Sequence, residues 1–372
     1  MATLLLAFVA KLPFALAPSV GLNAFFAFTL CQALHLSWQQ ALAVVFVEGL
    51  LFIIITILNI REKIIACIPP NLRYAMSAGI GMFIAFIGLK NAGIVVGDNS
   101  TLVRLGDFTS VSLLGVVSIL VSAVLIARKV KGALFYGIIL STIIGLPMGV
   151  TQIPTGWLPL SFPHNVEPVF CKFDFSGFFT LKMIVVVFSL LLVNVFDTIG
   201  TLVGLADKIG AIKADGSIPR MKEAMLSDSI GTVCSSFLGN STITTYVESA
   251  SGVAEGGRSG LTAFCIGLLF LLSVFLAPVF LLIPASATCG ALVMVGVLMA
   301  DSYKKIDMSC ISEAFPAFVT MIMMVLSYSI ADGICLGLLC YVFVKIGAGR
   351  RKDLNRTLYI LSVFILLYYV LG

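Results

Sequence analysis

Six stretches of this chain run almost wholly apolar: Ala41–Ile60, Met76–Val96, Val111–Ala127, Met183–Leu205, Leu261–Ile283 and Phe315–Ile330. Each approaches the ~20 residues that a helix needs to cross a bilayer core. Of the 372 residues, 60% are hydrophobic and only 11% charged, and the mean hydropathy is +1.12. No soluble domain is that apolar, so the expected fold is an all-α polytopic membrane protein with the lipid bilayer as its first partner. The alternating segments of a β-barrel are absent. The nine cysteines lie mostly inside apolar runs without a CxxC pair. They read as small hydrophobes, so neither a disulfide framework, a metal site nor any cofactor is expected.

Basic residues orient the spans. Arg61, Lys63 and Arg73 share one loop, Arg128, Lys129 and Lys131 a turn two spans later, and Lys208, Lys213, Arg220 and Lys222 the next loop on that side. Lys304 and Lys305, then Arg350, Arg351, Lys352 and Arg356, complete the set, whereas the intervening loops carry little beyond Arg104 and Lys172. That bias puts the basic loops in the cytoplasm of a cell (plasma or inner) membrane and accounts for the net charge of +5 without nucleic acid. The loop 150–180, with Pro154, Pro159, Pro163 and Pro168, is then an external linker between two halves. Met1–Ala10 is too short to span and lacks the basic start of a signal peptide, so it reads as the end of a helix.

Two segments break the helical pattern. In Phe14–Phe28, FALAPSVGLNAFFAF, Pro18 and Gly21 interrupt an apolar run just ahead of Asn23. In Gly239–Gly260, GNSTITTYVESASGVAEGGRSG, the β-branched and aromatic residues 242–247 favour an extended piece. Glu248 to Ser251 then starts a half-helix, with Glu248 at the junction. Irregular backbone at membrane depth survives only where protein buries it or water lines it. Paired interrupted segments in two oppositely oriented halves point to an inverted-repeat transporter with its site at the midplane. The amino ends of the two half-helices would present free N–H groups to a ligand there.

Acids inside such a protein are functional candidates by default. Asp197 stands in mid-span with Asn194, Thr198 and, one turn on, Thr201 and Gly204. Glu248 is the second intramembrane acid, and no Lys or Arg in these spans neutralises either. Helix packing and an internal ion pair are the structural alternatives for Asp197, and helix capping is the alternative for Asn23. Asp197-Thr198-Ile199-Gly200 matches an aspartic-protease motif only superficially, because no second matched aspartate accompanies it.

These residues also carry a family likeness. APSVGLNAFFAF (Ala17–Phe28), FDTIGTLVGLADKIG (Phe196–Gly210), STITTYVESASGVAEGGRSG (Ser241–Gly260) and EAFPAFVTMIMM (Glu313–Met324) resemble the nucleobase–cation symporter-2 superfamily. Within it they match the AzgA-like branch of hypoxanthine, adenine and guanine permeases, over nearly the whole chain. The resemblance implies a seven-plus-seven inverted repeat with core and gate domains. It lays out 1–60 as core and 72–149 as gate in the first repeat, then 150–180 as linker. In the second repeat, 181–284 is core and 285–347 gate, and 348–372 is a basic loop with an apolar segment, Leu358–Leu371. The family's eighth-helix acid falls on Asp197, its tenth-helix acid on Glu248 and its third-helix polar residue on Asn23. Thr201 follows Asp197 by one turn, and Tyr246, Val247 and Ser249 become neighbours of the ligand. Members have about one and a half more helices before Leu4–Pro18. The chain as written is therefore expected to begin inside the second helix, with about sixty upstream residues completing the site.

The implied activity is secondary active import of purine bases by proton symport with alternating access, sodium being the less favoured ion. Two carboxylates accept from ring N–H groups, and Asn23 both donates and accepts. A carboxyl in apolar surroundings resists ionisation, so an acid of this pair is suited to carry a proton. Glu248 is assigned the ligand contact, and Asp197 a ligand contact and the proton. Phe25 is a candidate for stacking on the base. Alternatives are an anion transporter or channel of the same fold, which two buried acids would oppose, and an inactive partner subunit; a homodimer is also admitted. An intramembrane enzyme lacks a nucleophile–base pair, because the two histidines, His35 and His164, sit at segment ends.

Overall fold

The computed structural model describes residues 1–19, 22–23, 25–58, 68–154, 157–162, 165–178, 180–213, 217–351 and 354–371. Gly21, Arg61, Lys63, Pro163, His164 and Lys352 lie outside the described residues, as does the side chain of Phe25. The chain opens with α1 (Ala2–Val9), strand β1 (Leu16–Pro18) and a π-helix, Phe25–Ala33, where an α-helical half-segment was expected. There follow α2 (Trp38–Ile57), α3 (Pro70–Asn91), the hairpin β2 (Val95–Asp98) and β3 (Leu102–Leu105), α4 (Ser110–Ala127) and α5 (Ala133–Gly145). The second half holds α6 (Leu181–Lys208), α7 (Met221–Phe237), β4 (Ile243–Thr245), α8 (Ser249–Ala254), α9 (Gly260–Phe275) and α10 (Ala277–Phe280). It continues through α11 (Ala285–Ala300), a 3-10 turn (Asp301–Lys305), α12 (Ile311–Leu326), α13 (Ile330–Gly347) and α14 (Arg356–Leu371). Among the described residues, six helices are long and apolar enough to cross a membrane.

Local chemistry sets the helix ends. Ser37 with Gln40, and Thr109 with Ser112, close reciprocal capping boxes on α2 and α4, and Pro70 occupies the first turn of α3. Three expected spans are corrected; of these, Phe315–Ile330 leaves its helix at Leu326, and Ile330 already begins the next one. Met76–Val96 does not stay helical to its end: Gly93 adopts φ 69°, and β-branched Val95 and Val96 enter the hairpin. At its turn Asp98 accepts from the Ser100 and Thr101 N–H groups at 2.8 and 2.9 Å. Those donors, Thr101 first, hold its carboxyl below the ordinary range. Leu261–Ile283 breaks after Phe275, because Pro278 has no N–H to bond backwards and its ring crowds the preceding turn.

The helices sort into two bundles. In the first, α1 packs on α7 and α9, and α2 on α6 and α7; in the second, α3 packs on α11 and α12, α4 on α5 and α11, and α12 on α13. They meet where α6 lies against α3 and α13. Gly204 of α6 makes that approach possible, since a Cβ there would touch Ile80 at 3.0 Å. At the end of α6, Asp207 accepts from Lys305 Nζ at 2.8 Å and Ser302 Oγ at 2.9 Å, tying one bundle to the other.

The interrupted segments cross inside the first bundle. β1 pairs antiparallel with β4, Leu16 opposite Thr245 and Pro18 opposite Ile243. Two hydrogen bonds extend the crossing, from Tyr246 N to Ala15 O at 2.8 Å and from Ala15 N to Ser249 Oγ at 2.9 Å. Thr3 of α1 bonds both the N–H and the carbonyl of Leu16, so the outer edge of β1 is satisfied as well. A two-stranded ribbon this short is not stable alone and depends on the helices around it.

Candidate functional site

The strand crossing fixes the backbone on either side of Glu248, the residue immediately before α8. A cavity of about 590 Å³ opens beside it. The first bundle contributes Tyr246, Glu248, Ser251 and Glu255 to its lining; the second contributes an aliphatic surface including Ile84, Ile87, Leu292 and Val295. Asn91, Thr288 and Tyr328 add polar groups on that second side. Among the described residues, the Glu248 carboxylate accepts no hydrogen bond from another side chain and forms no ion pair. A partly exposed carboxylate facing a cavity with free acceptor lone pairs is suited to ring N–H donors.

Asp197 projects from α6 toward the crossing. It is 6% exposed and accepts from Ser19 Oγ at 3.0 Å, with the Thr244 hydroxyl beside it. Asp197 and Glu248 lie close enough for their charges to interact. Asp197 itself does not line the cavity.

The other candidates divide by what already occupies their polar groups. Thr201 Oγ1 donates to the Asp197 carbonyl at 2.8 Å, a back-bond within α6 that consumes its proton. Ser249 Oγ accepts from the Ala15 N–H, and so serves the crossing. Asn23 accepts from Ser241 Oγ, which links the two interrupted segments away from the cavity. Val247 packs against the hydrophobic core. Of the seven residues, Tyr246 and Glu248 line the cavity, and Asp197 lies within range of Glu248's charge without lining the cavity.

Asp197 is not the sole acid within a span. Glu48 of α2 and Asp228 of α7 are fully buried and joined through α6. Asn194 Nδ2 donates to Glu48 Oε1 at 2.8 Å, and Thr198 Oγ1 lies 3.3 Å from Asn194 Oδ1 and donates to Asp228 Oδ2 at 2.7 Å. Glu48 was legible as a lone carboxylate inside the apolar run Ala41–Ile60, and Asp228 less so, because α7 is rich in serine and does not read as a span. Ser19, Asn91, Thr288 and Tyr328 carried no sequence signal beyond their polarity. Among the described residues no three His, Cys, Asp or Glu side chains are grouped to hold a metal ion.

Residues 1–336 match the sequence profile of the Permease family. The adenine permease AdeP of Escherichia coli is 42% identical over 369 residues, an alignment that spans 99% of this chain and 82% of AdeP. The guanine/hypoxanthine permease PbuG of Bacillus subtilis is 40% identical, covering 99% of this chain and 83% of PbuG. Among solved structures, the transmembrane domain of the cyanobacterial bicarbonate transporter BicA superposes with a TM-score of 0.56 at 17% identity. That superposition covers 91% of this chain and 88% of BicA's, and it speaks to the fold alone. This multi-pass membrane protein is a transporter and no enzyme, and it belongs to the Permease family, in the branch that its purine-permease relatives define.

Proposed function

We propose that the chain imports purine nucleobases (hypoxanthine, adenine or guanine) across the cell membrane by proton symport, its basic loops in the cytoplasm. The observation that carries this reading is the Glu248 carboxylate, which lines a cavity of about 590 Å³ and has no side-chain hydrogen bond or ion pair among the described residues. That volume lies within the roughly 300–1,000 Å³ of small-ligand pockets. A planar base presents N–H groups along its edge to Glu248 and its faces to the apolar side of the cavity. The relatives named as adenine and guanine/hypoxanthine permeases supply the substrate class.

Proton coupling follows from charge. Asp197 and Glu248 are neighbours without a Lys or Arg ion-paired to either among the described residues. Two carboxylates in such surroundings repel one another, and a proton taken up with the base removes that repulsion. The same repulsion weighs against an anionic substrate. Alternating access then requires the strand-bearing bundle, as the core, to move against the second bundle, as the gate. Labelled-base uptake into cells lacking their own purine permeases tests the reading. Accumulation of hypoxanthine, adenine or guanine, outcompeted by purines more than by uracil or xanthine and collapsed by a protonophore, is the expected result. Equal uptake of uracil, or sulfate uptake without any base, would overturn it.

A further inference from the structure

The two sides of the cavity differ in kind. The strand-bearing bundle offers hydrogen-bonding groups, whereas the second bundle offers mostly aliphatic surface with two large aromatics, Phe135 and Tyr328, of which Tyr328 is the one set in a constrained turn. Tyr328 sits in the short turn between Leu326 and Ile330 with φ 55°, in the left-handed region that bulky aromatics rarely enter. Neighbouring contacts hold the turn on both flanks. Ser327 Oγ donates to Met323 O at 2.6 Å, and Ser329 Oγ accepts from Asp332 N at 3.1 Å, capping α13.

The ring is fixed as firmly as its backbone. Phe83 packs on it edge-on with centroids 5.5 Å apart, and Phe86 does so at 6.2 Å. Lys90 Nζ lies 4.0 Å from the ring centroid, over one face. That face is therefore occupied, and the tyrosine cannot offer it to a base as a stacking surface. An unfavourable backbone conformation kept in place by three side-chain contacts, at the lining of a ligand cavity, calls for a role in the cavity.

We propose that Tyr328 is a specificity-determining residue, a rigid wall that limits how far a base engaged by Glu248 extends into the cavity. The inference rests on the purine reading and deepens it. Small purines fit between the acid and the wall, and purines carrying a bulky substituent are excluded by the wall. Lys90 acts through the ring as a positioning residue.

The test is competition against labelled adenine uptake by adenine itself and by N6-benzyladenine, an adenine with one bulky substituent, with surface-expressed protein quantified. The readout is the ratio of the two inhibition constants, which a merely structural role would not move. Tyr328→Ala is expected to shift that ratio toward N6-benzyladenine by about tenfold or more, the scale set by steric fit in apolar pockets. Tyr328→Phe keeps the ring and should retain the wild-type ratio, and Lys90→Met should shift it in the same direction as Tyr328→Ala by less. An unmoved ratio in Tyr328→Ala overturns the proposal. If Tyr328→Ala fails to reach the membrane, Tyr328→Leu, which retains apolar bulk without the ring, is read in the same way. Wild-type cells that take up no purine would overturn the substrate reading and this proposal together. Wild-type purine uptake with an unmoved ratio would overturn the wall alone.

Discussion

Two pairs of acids flank the same stretch of α6, and their surroundings differ. Glu48 and Asp228 are fully buried, and Asn194 and Thr198 of α6 reach out to them, so they join α2, α6 and α7. Asp197 and Glu248 lie at the strand crossing, where Ser19 bonds one and a cavity faces the other. Burial alone therefore does not mark a ligand site in this protein. What separates the pairs is the cavity: it faces Glu248, whose carboxylate takes no side-chain hydrogen bond among the described residues, whereas Glu48 and Asp228 are engaged by amide and hydroxyl donors of the fold, and Asp197, bonded by Ser19, stands between the two cases.

Removing an acid of the inner pair should have the largest effect on stability. Asp228→Leu strands the Thr198 hydroxyl and disturbs a fully buried network, so a loss of about 1–3 kcal/mol of stability is expected. Thermal unfolding in detergent, followed by size-exclusion chromatography, measures it. A variant as stable as the parent would remove the structural role given to the inner pair. Asp197→Asn, by contrast, keeps an oxygen that accepts from Ser19, so the protein should stay folded while purine uptake falls. Unfolding of Asp197→Asn would erase the distinction between the pairs.

A smaller effect is expected where the bundles meet. Lys305 is half exposed, while Asp207, its partner, is buried. Lys305→Met should cost about 1 kcal/mol at most, because solvent screens the outer partner. It should also speed movement between the bundles if that ion pair holds them together. Uptake rate at saturating base, compared with half-saturation concentration, separates the two consequences. A change in half-saturation alone would count against a role at the bundle contact.

Much of this was legible in the sequence. Apolar run length gives the membrane class, and the β-branched residues 242–245 give β4 its extended backbone. The placement of Glu248 at a strand-to-helix junction follows from the glycines and serines around it. The inner pair was harder to see, because Asp228 acts through Thr198 on another helix and its own helix is polar. Thr201 shows the opposite failure. Its spacing from Asp197 is right for a shared face, yet its hydroxyl is spent on the helix backbone, and periodicity cannot register a back-bond. The break at Pro278 was written in the sequence, but an apolar count passes over a proline flanked by valine and alanine.

The central claim is that Glu248 meets the substrate without supporting the fold. Its most direct test is the thermal midpoint of purified wild type and Glu248→Gln, each with and without excess adenine, guanine or hypoxanthine. Ligand that binds only the folded state raises the midpoint, by about 2.7 kcal/mol of stabilisation at a hundredfold excess over Kd. Equal midpoints are expected for the two proteins without purine, with a rise for wild type with its substrate and no rise for Glu248→Gln. A full ligand-induced rise in Glu248→Gln, or a midpoint already depressed without purine, would contradict that claim.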